Sequence, residues 1–201
     1  MIKLILNDEH LGGVLAEAFS TCRHRLFIAT ADVKNLYIPV SGVVAGGGIE
    51  TAFEAKKRTR ARGGRGRRGD TARSIVDVFD ELGARGIEIR LLHSGIPSGP
   101  FLERLKNGVP RSLTMRRCCR VHAKAVIVDG LRMYLGSANL TGAGLGAKSA
   151  RRRNFEAGLW TDEPALIDET ADMLESIWSG RECDDCGRKA NCPVPLEEPD
   201  I

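Results

Sequence analysis

Between residues 121 and 139 the chain reads VHAKAVIVDGLRMYLGSAN. Apolar residues dominate 120–128 and again 131–136, and both segments have the length of a β-strand. Gly130 stands between them, where its conformational freedom permits a tight turn. The stretch therefore predicts two successive strands that fold back on each other.

Polar side chains in this stretch are expected to converge. Residues two apart on a strand share a face, so His122 and Lys124 should point the same way. The second strand runs back toward that face and carries Ser137 and Asn139 at its end. The pattern predicts an imidazole, an ammonium, a hydroxyl and an amide in one place, which is a set suited to a phosphodiester.

The rest of the chain interleaves helical and strand patterns. Apolar spacing predicts helices at 9–20, about 70–86 (with Asp70 as its N-terminal cap), 99–107 and 163–178, and strands at 25–31, 87–92, 112–117 and 153–160. This order predicts an α/β fold in which a mixed β-sheet is sandwiched between helices. We expect one catalytic domain over 1–180 and a small Cys-rich appendage over 181–201.

Six residues within the stretch 121–139 form a motif with defined spacing: His122, Lys124, Asp129, Gly136, Ser137 and Asn139. This HxK(x)4D(x)6GSxN spacing resembles the signature of the phospholipase D superfamily. The downstream segment 154–156 (Asn-Phe-Glu) resembles the acidic element that follows the signature in that family. The resemblance implies the phospholipase D/nuclease-like fold.

The resemblance also implies roles for the site residues. His122 would be the nucleophile that forms a covalent phosphohistidine, while Lys124 and Asn139 would grip the phosphate with support from Ser137. Glu156 would accept a hydrogen bond from the other imidazole nitrogen of His122 and so fix its tautomer.

Two further expectations follow from the family. Asp129 belongs to the motif but lies at a strand end, where the family implies a structural role. The mechanism needs a second histidine to protonate the leaving oxygen, and this chain has a single motif. We therefore expect a homodimer in which His122 faces its symmetry mate.

Charge is distributed unevenly along the chain. Residues 56–68 hold eight basic side chains and no acid, so removing them from the net charge of +4 leaves −4 for the rest. Glycines add to the insertion at about 45–70, which we expect to be a loop. Such a segment is either a solvated loop or an arm that contacts the phosphates of DNA or RNA.

Composition limits the class of protein. Hydrophobic residues make up 42% and charged residues 28%, which suits a globular core, and no apolar run reaches the roughly 20 residues that span a bilayer. The first ten residues carry too short an apolar stretch for a signal peptide. We expect a soluble, cytoplasmic protein.

Three cysteines lie close together in the appendage. Cys183, Cys186 and Cys192 have the spacing CxxC(x)5C, which predicts a structural zinc or iron–sulfur centre and resembles the iron–sulfur staple of some DNA-processing nucleases of unrelated fold. A fourth ligand would come from Cys118, with Cys119 and Cys22 as alternatives. The alternative is a set of ordinary thiols without a metal. Catalysis itself should need no cofactor.

Three functions remain open at this point. The first is a metal-independent nuclease that acts through phosphohistidine. The second is a phospholipase D or phosphatidyltransferase that acts on lipid, although no amphipathic helix suited to a membrane surface is evident. The third is a non-catalytic nucleic-acid-binding module, against which the intact motif argues.

Overall fold

The computed structural model describes residues 1–44, 48–51, 72–192 and 194–198. Its strands are β1 (Ile2–Leu6), β2 (Arg25–Thr30), β3 (Tyr37–Val44), β4 (Gly48–Thr51), β5 (Ala72–Ser74), β6 (Glu88–His93), β7 (Leu113–Arg117), β8 (Ala125–Val128), β9 (Arg132–Gly136) and β10 (Ala157–Thr161). Its α-helices are α1 (Glu17–Thr21), α2 (Ile75–Ala84), α3 (Gly99–Lys106) and α4 (Pro164–Trp178). A π-helical segment, Leu11–Ala16, leads directly into α1.

Seven strands form one mixed sheet in the order β1-β10-β9-β8-β2-β6-β7. Strand β2 pairs in parallel with β6, and β6 with β7, while the pairs on the other side of β2 are antiparallel. Helices cover both faces, so the predicted α/β fold with a mixed sheet between helices is confirmed.

Alternating side chains of β2 show how the sheet is sandwiched. Ile28 belongs to a large core cluster that includes Phe19 of α1 and Phe79 of α2. Phe27 points to the other face, where its ring meets Trp178 of α4 edge-on. Because both faces of the central strands are buried, β8 is apolar throughout and β2 is apolar from Leu26 to Ala29. No helix of the described ranges is long and apolar enough to cross a membrane.

A smaller antiparallel sheet, in the order β4-β3-β5, lies between β2 and α2 in the sequence. The sequence pattern predicts no strands there. The predicted basic arm at 56–68 falls between β4 and β5, and it lies outside the described residues together with 45–47.

Local boundaries differ from the prediction at several elements; for example, the strand predicted at 153–160 is β10, which begins only at Ala157. The strand predicted from residue 120 begins only at Ala125, because residues 118–124 form an irregular connection that leaves β7. The cap of α2 is Ser74, whose hydroxyl accepts the Val76 N–H, whereas Asp70 lies outside the described residues. Strand β1 was not predicted; it forms the edge of the sheet beside β10.

Candidate active site

His122 and Lys124 lie in the irregular connection just before β8, and their side chains meet. The Lys124 Nζ lies 2.7 Å from the backbone oxygen of His122 and 3.2 Å from each nitrogen of its ring. Because an ammonium only donates hydrogen bonds, the tautomer of His122 decides which of its nitrogens accepts from Lys124. The site thus places an imidazole next to a positive charge.

The two side chains differ in their exposure. Lys124 is 7% exposed, whereas the His122 side chain is open to solvent. Burial lowers the pKa of Lys124, and the negative charge of Glu156 opposes that shift. A desolvated ammonium of this kind interacts more strongly with a phosphate oxygen than one in water would.

Ser137 and Glu156 form the second part of the site. Ser137 follows β9, and its hydroxyl donates to the buried Glu156 carboxylate and accepts the Ala157 N–H at 3.1 Å. The other Glu156 oxygen accepts the side-chain N–H of Asn154 at 3.0 Å. The expected bond from Glu156 to the His122 ring is not among these contacts, because the ring instead faces Lys124.

Asn139 is oriented by the end of β2. Its Oδ1 accepts the backbone N–H groups of Ala31 at 3.1 Å and Asp32 at 3.2 Å, and the Thr30 hydroxyl at 3.2 Å. With the carbonyl oxygen held in this way, the two N–H donors of the amide are available for an acceptor such as a phosphate oxygen. Sequence reasoning did not identify Thr30, whose part in the site depends on a contact across 109 residues.

Gly136 allows β9 and β10 to approach closely beneath the site. A Cβ at this position would collide with the Tyr134 hydroxyl and would lie 2.7 Å from the Ala157 oxygen. The buried Tyr134 hydroxyl accepts the Ala138 N–H at 3.3 Å, and burial raises the pKa of this tyrosine to about 12. This packing sets the position of the chain from Ser137 to Asn139.

Asp129 lies at the other end of β8 and does not join the site. It has a φ of 54°, and its carboxylate accepts the backbone N–H groups of Arg23, His24 and Arg25, each at 2.8 Å. Burial would raise its pKa, but the N–H donors outweigh this and hold the pKa below its usual range. Asp129 therefore fastens the turn after β8 to the start of β2.

A cavity of about 380 Å³ opens at His122 and contains two arginines that the sequence analysis missed. Its lining residues are Ser94, Cys119, Arg120, Val121, His122 and Arg188. Arg188 comes from the Cys-rich appendage at 181–201, the tail of the chain, in which the sequence pattern singles out only the cysteines. Guanidinium groups at such a cavity suit a phosphate, which they bind through paired N–H donors.

A second cavity lies under the tail, and it is lined by Cys118, Cys119, Cys183, Cys186 and Cys192. All six cysteines are free thiols. Cys22 is not part of this group: it is buried beside Asp129, and burial followed by the Asp129 charge raises the pKa of its thiol to about 12. Within the described residues, no three His, Cys, Asp or Glu side chains are arranged as a metal site.

Comparison with known structures shows a shared fold. NucT from Helicobacter pylori is similar over 89% of this chain and 96% of its own, with a TM-score of 0.57 and 15% identity. The phospholipase D family member Nuc from Salmonella typhimurium is similar over 89% of this chain and 94% of its own, with a TM-score of 0.54 and 14% identity. Among curated proteins, none matches the chain.

The sequence itself matches a family model. The model is described as cardiolipin synthase, PLD-like domain, and it covers residues 68–178, which include the whole of the HxK(x)4D(x)6GSxN stretch. The match spans more than half of the 201 residues, and the fold it implies is the one observed. On both grounds, sequence and fold, the chain belongs to the PLD-like domain family of the phospholipase D superfamily.

Proposed function

We propose that this protein is a metal-independent phosphodiesterase that cleaves nucleic acid through a phosphohistidine intermediate. The observation that carries the proposal is the buried Lys124 ammonium, which lies 3.2 Å from the ring nitrogens of the exposed His122. The cation would neutralise phosphate oxygens at the place where the imidazole lone pair can reach phosphorus. The amide donors of Asn139 would add to this neutralisation.

The reaction would proceed in two steps. A His122 nitrogen attacks phosphorus, so that a P–N bond forms as the P–O bond to the leaving alkoxide breaks and a general acid protonates that alkoxide. The same acid, now a base, then deprotonates a water that attacks the phosphohistidine and restores the free imidazole. The role of acid and base requires a second histidine near the first.

A second copy of the chain would supply that histidine. Of the four histidines in the sequence, only His122 is followed two residues later by a lysine. An apolar strip on the sheet face beside the site is exposed and lies beyond the cover of α4; it consists of Ile2, Leu4, Leu6, Leu135 and Leu159. Exposed apolar surface of this kind favours association, and pairing through it would bring two sites together.

Charge favours nucleic acid as the substrate. Arg120 and Arg188 line the cavity at His122, and the segment 56–68 adds eight positive charges in one short stretch. These groups suit a polyanion with a repeating phosphate backbone, for which binding is driven largely by counterion release. A single lipid phosphate would leave most of this charge unused, so lipid is the alternative that the assay must address.

Cleavage of labelled single- and double-stranded DNA and RNA in excess EDTA tests the proposal. We expect cleavage to survive chelation and His122→Ala to lower the rate by several orders of magnitude, the scale seen when a nucleophile is removed. Bis(p-nitrophenyl) phosphate and phosphatidylcholine vesicles serve as parallel substrates, so that a different substrate class is distinguished from an inactive site.

Two results of this assay would overturn the mechanism. One is retention of more than about a tenth of the rate in His122→Ala, which is far above the residual activity left by loss of a nucleophile. The other is loss of cleavage in EDTA while the thermal unfolding curve is unchanged. The unfolding curve is needed because EDTA can also act on the tail.

Sedimentation of the wild-type protein tests whether two copies of the chain form a dimer. We expect a dimer, and we expect Leu159→Lys to dissociate it and to reduce cleavage together, because the substitution places a charge in the centre of the apolar strip. Leu131→Lys is the matched control, since Leu131 is also exposed but lies in the turn between β8 and β9. A fully active monomer would contradict the proposal.

A further inference from the structure

The tail from Arg181 to Cys192 has almost nothing apolar to bury. Of these twelve residues, nine are exposed, and the three that are partly buried are Cys183, Cys186 and Cys192. The only regular structure in this span is a single 3₁₀ turn at Lys189–Asn191. A segment of this kind has too small a hydrophobic core to remain folded, and a metal is one of the usual substitutes for such a core.

The backbone of the tail places its three cysteines around one small cavity. Cys186 donates its N–H to the Cys183 oxygen at 3.3 Å, which closes a turn, and Cys192 donates to the Lys189 oxygen at 3.1 Å. Cys118 faces them from the body of the protein, where its N–H is fixed to the His93 oxygen at the end of β6 at 2.8 Å. All four thiols line a cavity of about 30 Å³.

Two body cysteines, Cys118 and Cys119, line this cavity beside the three cysteines of the tail. Cys119 differs from Cys118 because it also lines the cavity at His122, so Cys118 is the body cysteine committed to the tail.

We propose that Cys118, Cys183, Cys186 and Cys192 form a four-thiolate site for a soft metal centre, either Zn²⁺ or an iron–sulfur cluster. Thiolates are the preferred ligands of both centres, and four is the number that both require. Each thiol would release its proton on binding. Because no three of the described side chains stand at coordination geometry, the metal would draw the four sulfurs into the cavity.

The proposed centre would also set the position of Arg188. This residue lies between Cys186 and Cys192 in the chain, and it lines the cavity at His122. Arg120 lines the same cavity, and its guanidinium donates to the backbone oxygen of Glu182 at 3.5 Å. This step rests on the proposed function: the metal would fix a guanidinium that binds a phosphate of the nucleic acid beside the scissile one.

Metal content tests the site independently of activity. Protein purified without oxygen or chelator is examined by elemental analysis and visible spectroscopy. We expect either about one zinc per chain without colour, or iron with sulfide and broad visible absorption. Less than about 0.2 metal atoms per chain of either kind would overturn the proposal, whatever the protein cleaves.

Cysteine variants test the ligand set. We expect Cys118→Ser and Cys186→Ser to lose the metal and to make the tail susceptible to limited proteolysis, while the core remains folded by circular dichroism. Cys119→Ser is the matched control and should keep the metal, although its thiol neighbours Cys118. If Cys119→Ser loses the metal and Cys118→Ser keeps it, the proposed ligand set is wrong.

Arg188→Ala tests the link to the site, because it leaves every proposed ligand in place. We expect metal content to be unchanged and KM for nucleic acid to rise about tenfold with a small change in kcat, as expected for one lost charge-assisted contact. An unchanged KM in a metal-loaded variant would refute the role of Arg188 while leaving the metal site standing. Absence of cleavage in the wild type would count against the proposed function alone.

Discussion

Asp129 follows β8, at the opposite end of that strand from His122, and its contacts give it a measurable effect on stability. Its folded-state pKa is depressed, so the stability it contributes is present above the unfolded pKa of about 3.8 and is lost as the pH falls through the lower folded value. The substitution Asp129→Asn keeps a side chain that tolerates the positive φ, removes the charge and replaces one of the two acceptor oxygens by an amide donor.

We expect Asp129→Asn to lower the free energy of unfolding by roughly 1–2 kcal/mol at pH 7, because three backbone N–H groups lose a charged acceptor. The difference from wild type should shrink as the pH falls below about 3.8. Urea unfolding at pH 7, and at the lowest pH at which the protein is folded, measures this difference in the free energy of unfolding. Asp80→Asn, at an exposed position, is the control. A difference that stays constant with pH would contradict this account.

At the scale of elements, the close contact between β9 and β10 depends on Gly136. We expect Gly136→Ala to cost roughly 2–3 kcal/mol, because its Cβ would meet the Tyr134 hydroxyl and the Ala157 oxygen in a fully packed region. Activity should fall as well, since Ser137 must move. Gly99→Ala, at the open start of α3, has no atom within 4 Å of its Cβ and should change stability by less than about 0.5 kcal/mol.

Thermal unfolding of the two glycine variants makes this comparison directly. Equal melting temperatures for Gly136→Ala and Gly99→Ala would show that the strands can separate without cost. In that case the close contact between β9 and β10 would not explain why a glycine stands at position 136.

At the scale of the whole molecule, the basic segment at 56–68 concentrates the charge that should attract nucleic acid. We expect deletion of this segment to raise the Kd for DNA or RNA and to flatten its salt dependence, because fewer counterions are released on binding. Replacement by a glycine–serine segment of equal length is the control for chain connectivity. Titrations at several salt concentrations measure both quantities, and an unchanged slope would identify the segment as a solvated loop.

Much of the fold and the family were evident from local sequence pattern. The spacing from His122 to Asn139 identified the superfamily, and the strand at 112–117 and the helix at 163–178 lie within a residue of their predicted ends. These features could be predicted because strand and helix periodicity depends on neighbouring residues. The start of β8 could not, since the same apolar alternation continues through the irregular residues before Ala125.

The geometry of the site depended on contacts between distant parts of the chain. Asn139 is held by the end of β2, more than 100 residues earlier, and Arg188 reaches the cavity at His122 from the tail. Glu156 bonds to Ser137 and Asn154, although the family resemblance placed it against the imidazole. Residue types and spacings along the chain determined which chemical groups are present. Their partners were determined by strand order and by the docking of the tail, because those long-range contacts have no local sequence signal.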